Sequence, residues 1–338
     1  MSGSGTALYR SPRSRLGRMV AERSYIAMVR GYAWSGGITN DILHAAIARR
    51  HPPRAVSGPS VVLGTREATE LAERVRTDGF VLLPEPLDPD LCDHLVELAG
   101  TVPAHARSRP ELAPAPYRLL PDDVPAAWIA EREIATDRSV QRLASDPGLL
   151  GVAQAYLGCQ PIMSNLAMWW SRPAGADQAD IHANAQAFHF DMDRPKWLKL
   201  FIYLTDVTPT SGPHIFVKGS HRQTSDWADL RRRGYARLSD HEVEERFGDR
   251  VVEVCGPRGT MFFADTRALH RGKLPETGER LVLQYEFADS LFGAQVNVVD
   301  EVPVVCPQLW WAAARLPGTY RRWGLVGDPP LEGGPSAS

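Results

Sequence analysis

The sequence predicts an α+β chain in which helices come first and a mainly β core follows, with a jelly roll as its functional unit. Three observations predict it. From Pro161 onward, short runs rich in aromatic and β-branched residues recur: IMSNLAMWWSRP, AQAFHFDMD, WLKLFIYLTDV, HIFVKGSH, RVVEVC, GTMFFAD and RLVLQYEFAD. These runs are bounded by turn signals such as PAGAD, TPTSG, GPRG and PETGE, which favours an antiparallel sandwich or barrel over a βαβ sheet. Before Pro161 the pattern is helical, and no internal repeat is present.

Taken in order, the segment up to about Arg54 is basic. Arg10, Arg13, Arg15, Arg18, Arg23, Arg30, Arg49, Arg50 and Arg54 face only Glu22 and Asp41. It lacks the apolar run of a secretory signal and reads as a partly helical extension packing on the main domain or a partner. HPPRAVSGPS is a linker, so the extension and linker span 1–60. REATELAERVRTDG predicts an amphipathic helix from Thr65 to Gly79, and FVLLP a short strand. LDPDLCDHLVELAG predicts a helix capped by Asp88 and stopped by Gly100. Residues 101–127, rich in proline and alanine, read as a surface excursion. DRSVQRLASD and its continuation GLLGVAQAYLG read as one further helix.

The strand series then runs over about 161–290, interrupted by a charged helical insertion at about 224–249. A single domain over 61–310 and a C-terminal tail over 311–338, ending in EGGPSAS, complete the expected organisation.

Composition excludes several classes of function. With 43% hydrophobic residues, 23% charged and a formal charge of -2, the chain has no global bias toward nucleic acid or anionic lipid. No apolar run reaches the ~18 residues of a membrane span. Cys92, Cys159, Cys255 and Cys306 are far apart with no CxxC, which points to buried thiols in a reducing, cytoplasmic setting.

One stretch is chemically out of place. FHFDMD, Phe188 to Asp193, sets a histidine and two carboxylates at alternate positions in an apolar run. In a strand, residues i and i+2 share a face about 6.5–7 Å apart, so His189 and Asp191 project together. With a second imidazole from another strand they form a 2-His-1-carboxylate facial triad, which leaves open positions suited to oxygen-activating ferrous iron rather than a closed structural zinc. His270, in FFADTRALHRG, supplies the imidazole. Arg280 opens RLVLQYEF, where a guanidinium can hold a dicarboxylate bidentately against the metal.

FHFDMDRPKWLKLFIYLTDV, SGPHIFVKGSHR and FFADTRALHRGKLPETGERLVLQYEF together resemble the phytanoyl-CoA dioxygenase family of Fe(II)- and 2-oxoglutarate-dependent oxygenases. The resemblance covers roughly residues 65–290 and is specific over 161–290. It implies a double-stranded β-helix, with His189, Asp191 and His270 as iron ligands and Arg280 on the distal carboxylate of 2-oxoglutarate. It also implies consumption of O2 with release of succinate and CO2, and hydroxylation of a small-molecule metabolite. Related halogenases have a small residue in place of the carboxylate, so Asp191 favours hydroxylation. The sequence departs from the family at Phe190, often glutamine, and at Lys218, often proline. Neither change removes a catalytic group.

Other residues are weighed on the same footing. Asp193 is the rival carboxylate, expected to turn the chain before Arg194-Pro195 or to pair with a base. Asn165, Phe201 and Tyr203 are candidates for the cosubstrate cavity, although aromatic residues at alternate strand positions are more often plain core. His182 is a candidate substrate contact, His214 is expected to face a neighbouring strand, and His221 to make a structural hydrogen bond. The insertion suits a lid. Two alternatives keep the fold: a non-catalytic jelly-roll binding protein, and a zinc- or manganese-dependent cupin-type enzyme with no need for Arg280. The sequence assigns neither a substrate nor an oligomeric state.

Overall fold

The computed structural model describes residues 15–56, 58–60, 62–63, 65–174, 187–222, 228–232 and 237–328. His182, residues 224–227 and 233–236 of the helical insertion, and the EGGPSAS tail lie outside them. Helices α1 (Arg15–Ser35) and α2 (Ile38–Arg50) form an antiparallel pair. The turn between them uses Gly36 and Gly37 at φ 66° and 104°, a backbone that side-chain-bearing residues resist. Two ion pairs fasten α2 to the main body, Asp41 with Arg267 at 3.3 Å and His44 with Asp289 at 2.9 Å.

Helix α3 (Thr65–Asp78) and strand β1 (Phe80–Leu82) follow as the periodicity predicts. In α4 (Pro89–Thr101) the Asp88 side chain accepts from the Asp90 and Leu91 amides, so the predicted cap is present. The helix passes through Gly100 and ends at Thr101, because Pro103 disfavours helical geometry just before it. The expected single helix over DRSVQRLASDPGLLGVAQAYLG is instead two, α6 (Arg138–Ala144) and α7 (Pro147–Leu157), after the short α5 (Glu131–Ala135). Asp146 breaks it by capping the amides of Gly148 and Leu149, with Pro147 fixed at the first helical position.

The core is built from two antiparallel sheets. Beyond β1 the strands are β2 (Pro103–His105), β3 (Ala115–Pro116), β4 (Ala126–Ile129), β5 (Ile162–Ser171), β6 (Trp197–Tyr203), β7 (His214–Val217), β8 (Val251–Val254), β9 (Met261–Ala264), β10 (His270–Gly272) and β11 (Arg280–Ala288). The larger sheet has the order β1-β9-β6-β11-β5-β4-β2-β3, and the smaller β10-β7-β8. From β6 to β11 the chain crosses repeatedly between the two, which is the winding of a jelly roll, or double-stranded β-helix. The surface excursion expected over 101–127 is a correction: it contains β2, β3 and the start of β4, with Ala104, Tyr117 and Val124 buried. Proline and alanine are poor strand formers, so edge strands of two to four residues here left no period to read.

Alternation along the central strands divides the molecule. Leu198, Leu200 and Ile202 of β6 and Leu281, Leu283, Tyr285 and Phe287 of β11 enter the main core against the helices. Phe201, Tyr203 and Val282 point the other way, meeting Phe216 and Val254 of the smaller sheet in a second core. This second face carries the chemistry. Residues 299–328 are not loose: β12 (Val299–Pro303) and β13 (Trp323–Val326) pair in parallel, and Leu316, Tyr320 and Trp323 are buried in the main core.

Candidate active site

Within the second core a cavity of about 140 Å³ is lined by Trp128, Trp169, His189, Asp191, Lys199, Phe201, His214, His270, Gly272, Arg280 and Gln284. His189, Asp191 and His270 each offer one ligand atom within 4.8 Å of the others, and all three are buried. Nε2 of His189 lies 3.3 Å from Oδ1 of Asp191, and Nε2 of His270 lies 3.7 Å from Oδ2.

Local backbone explains the arrangement. FHFDMD is not the continuous strand expected of it. Phe188 bridges Leu238, and His189 bridges His270, as isolated pairs. His189 and His270 exchange both backbone hydrogen bonds, at 2.9 and 3.0 Å, and the Asp191 amide donates to the Thr266 carbonyl at 3.0 Å. His270 opens the short strand β10 rather than lying in a turn. Phe188 and Phe190 fill a third apolar cluster with Ile215, Val217 and Leu269, which turns His189 and Asp191 to the opposite side.

Each imidazole is oriented by its other nitrogen. Nδ1 of His189 lies 2.8 Å from the Ala187 carbonyl, and Nδ1 of His270 lies 2.9 Å from the Ala268 carbonyl. Both Nδ1 atoms therefore carry the proton, and both Nε2 lone pairs face the carboxylate, the tautomer that metal-ligating histidines adopt. Burial, reinforced by His189, pushes His270 down to about 3 and keeps it neutral. Burial alone would raise Asp191, but the ammonium of Lys199 outweighs it and holds the carboxyl well below its usual range.

Lys199 of β6 lines the same cavity as Phe201. Its ammonium donates to Oδ2 of Asp191 at 2.7 Å and lies 3.6 Å from Glu286, which in turn accepts from the Ser164 hydroxyl at 2.6 Å. A lone lysine inside an apolar strand was the available signal. Lys199→Met is expected to strip Asp191 of its buried partner and cost the metal-free protein about 3 kcal/mol. Saturating divalent metal restores most of it, read as a larger metal-induced rise in melting temperature than in the unmodified protein. An unchanged metal-free melting temperature contradicts that role.

Asp193 does not join the cluster. Its carbonyl accepts from the Ala294 amide at 2.8 Å, and Gly293 packs there at φ 130° with no room for a Cβ. Burial and the neighbouring Asp191 push its carboxyl up to about 6.

Arg280 lies on the cavity wall, 4% exposed. Its Nη2 reaches the Ser171 hydroxyl at a long 3.4 Å, while Nε and Nη1 are buried without a partner. Burial pulls the guanidinium down to about 10. A buried cation with two orphaned donors is costly unless an anion completes it, so the cavity fits a dicarboxylate spanning from Arg280 toward the triad. Phe201 and Gln284 line the space between; Gln284 follows Arg280 by four positions on one strand face, a spacing that could have revealed it.

His214 also lines the cavity, rather than only facing a neighbouring strand. Tyr203 donates to the Val254 carbonyl at 3.1 Å, so its oxygen accepts from both the His214 amide and Nδ1, each 3.0 Å away. His214 is therefore neutral, with Nε2 left as an acceptor, and burial followed by Arg280 holds it so. Tyr203 supports the wall from behind. Asn165 is half-buried on β5 opposite Glu286 and is not among the lining residues. Nε2 of His221 lies 3.0 Å from the Arg76 carbonyl, the structural bond expected of it. Trp128 was missed because it sits at the end of the proline-rich region, where no period was legible.

The sequence pattern of the phytanoyl-CoA dioxygenase (PhyH) family matches residues 75–278. Ectoine dioxygenase of Stutzerimonas stutzeri (strain A1501) is 23% identical over 241 residues, covering 66% of this chain and 78% of that relative. Among solved structures, the epimerase SnoN in complex with Fe3+, alpha ketoglutarate and nogalamycin RO superposes with a TM-score of 0.47 and 20% identity, over 67% of this chain and 85% of its own. EctD from S. alaskensis in its apoform superposes with a TM-score of 0.44 and 17% identity, over 70% of this chain and 81% of its own.

Proposed function

Since this chain belongs to the phytanoyl-CoA dioxygenase family and is a non-haem iron, 2-oxoglutarate-dependent oxygenase, we propose that it hydroxylates an unactivated C–H bond of a small-molecule metabolite. His189, Asp191 and His270 hold the iron, and Arg280 holds the distal carboxylate of 2-oxoglutarate. The observation that carries the assignment is the pairing of a buried His-Asp-His cluster with an unpaired buried guanidinium on the wall of one cavity.

Bound together, iron and 2-oxoglutarate supply the oxidising power: O2 is reduced, 2-oxoglutarate becomes succinate and CO2, and the remaining oxygen atom enters the substrate C–H bond. The protein contributes placement. The carbonyls of Ala187 and Ala268 fix the imidazole tautomers, so both Nε2 atoms are ready as ligands. Lys199 donates to Oδ2 of Asp191, so Oδ1, beside Nε2 of His189, would be the oxygen offered to the metal. Arg280 and Gln284 orient the cosubstrate, and the aromatic walls of Phe201 and Trp169 exclude water from the reacting region. Between β7 and β8 the helix Asp240–Phe247 is fixed by a Ser239–Glu242 capping box, next to Leu238, which bridges Phe188 of the ligand segment. A carboxylate at Asp191 keeps a ligand position from halide, in favour of hydroxylation.

The test is anaerobic addition of Fe(II) and 2-oxoglutarate to the full chain, followed by oxygen. A visible metal-to-ligand charge-transfer band is expected, then slow succinate formation in the absence of substrate. Folded, metal-loaded protein that gives neither overturns the reading.

A further inference from the structure

The inner face of the larger sheet continues past the metal cluster onto strands that the smaller sheet does not cover. Trp169 of β5 stands opposite Trp128 of β4, and Trp128 stands opposite His105 of β2. The two indoles stack with centroids 4.6 Å apart. Exposure rises steadily along this row: Trp169 is buried, Trp128 and His105 are half-buried and Arg107 is exposed. The row is a shelf leading from the cavity to solvent.

Arg107 closes its outer end. Its guanidinium lies over the Trp128 ring, 3.6 Å from the centroid, a close cation–π contact that fixes the cation at the shelf's mouth. Among the described residues no carboxylate forms an ion pair with it, whereas the nearby Arg109 is paired with both Glu111 and Asp123. Trp128 itself lines the cavity and its Nε1 is buried without a partner. Arg280 sits on β11 and Arg107 just past β2, so their backbones are three strand spacings of about 4.8 Å apart, or roughly 14 Å. Arg280 thus lines the cavity, whereas Arg107, with no acid partner among the described residues, stands outside that lining and over the Trp128 wall.

The geometry points to Arg107 as the residue that selects substrate: an elongated small molecule with an apolar body along Trp169 and Trp128, and a carboxylate or phosphate held by Arg107. This rests on the reading of the cavity as a dioxygenase site. The fixed guanidinium suits either anion, since both accept two parallel hydrogen bonds from its fork.

Decanoate, decyl phosphate and neutral decanol are the probes, titrated by tryptophan fluorescence against metal-free protein and, anaerobically, against protein loaded with Fe(II) and 2-oxoglutarate. One or both anions are expected to bind at least tenfold more tightly than decanol, and their order separates a carboxylate from a phosphate preference. Arg107→Met removes the preference while leaving decanol affinity unchanged, and Arg107→Lys keeps part of it. Equal affinity for all three probes, no binding by any, or a preference that survives Arg107→Met overturns the proposal. The charge-transfer band of the unmodified enzyme reports separately on the dioxygenase reading: its absence sinks that reading whatever the probes do, and its presence leaves the probe result to decide the role of Arg107.

Discussion

Asp191→Ala is expected to abolish succinate formation, by far more than the roughly 100-fold that loss of a mere outer partner of a metal site costs. The carboxylate is the one acidic member of the cluster, so its removal leaves two imidazoles to hold a dication, with the ammonium of Lys199 a few ångströms away. Iron content after desalting falls accordingly. Asp193→Ala is the matched control: it removes a carboxylate two positions on, and metal content stays at the level of the unmodified protein. The opposite pattern would show that the metal is held by Asp193. An effect of equal size in both variants would point to collapse of the segment, which far-ultraviolet circular dichroism distinguishes.

Arg280→Met carries two expected effects of opposite sign. Binding of 2-oxoglutarate is lost, seen as disappearance of the charge-transfer band at cosubstrate concentrations that saturate the unmodified enzyme. The cosubstrate-free protein meanwhile becomes more stable, because an apolar side chain of similar length replaces a buried guanidinium with two orphaned donors. A gain of about 1–3 kcal/mol is the scale at which such replacements act, visible as a rise of several degrees in melting temperature. A merely structural arginine predicts the reverse, a fall in stability with cosubstrate binding intact. This variant therefore separates a binding residue from a packing residue in one preparation.

How much of this was legible in the sequence depends on whether a residue's role is carried by period or by company. The alternation in WLKLFIYLTDV sets Lys199, Phe201 and Tyr203 on one face and Leu200, Ile202 and Leu204 on the other, and β6 divides that way because a strand buried on both sides still sends successive side chains to different cores. The His-Asp-His cluster was legible for the same reason, two members being i and i+2. Its support was not: Lys199, His214 and Trp128 act through neighbours 8, 11 and 41 positions distant, Asp191, Tyr203 and Trp169, and nothing local marks such partners. The edge strands failed for want of residues. Two or three positions of proline and alanine cannot display a period, and they became strands because β4 pairs with β5 and offers its own edge to β2, which in turn pairs with β3.

The reciprocal backbone bridge between His189 and His270 has a consequence for how the enzyme lives with a labile ion. Four of the bonds that shape the ligand set, the two of that bridge and the two from the Nδ1 atoms, run to main-chain groups and involve no metal. The socket is thus cast during folding, and its ordering entropy is spent before any iron arrives. Loss of the ion, by oxidation or chelation, would leave all four of these bonds in place, because none of them runs through the metal.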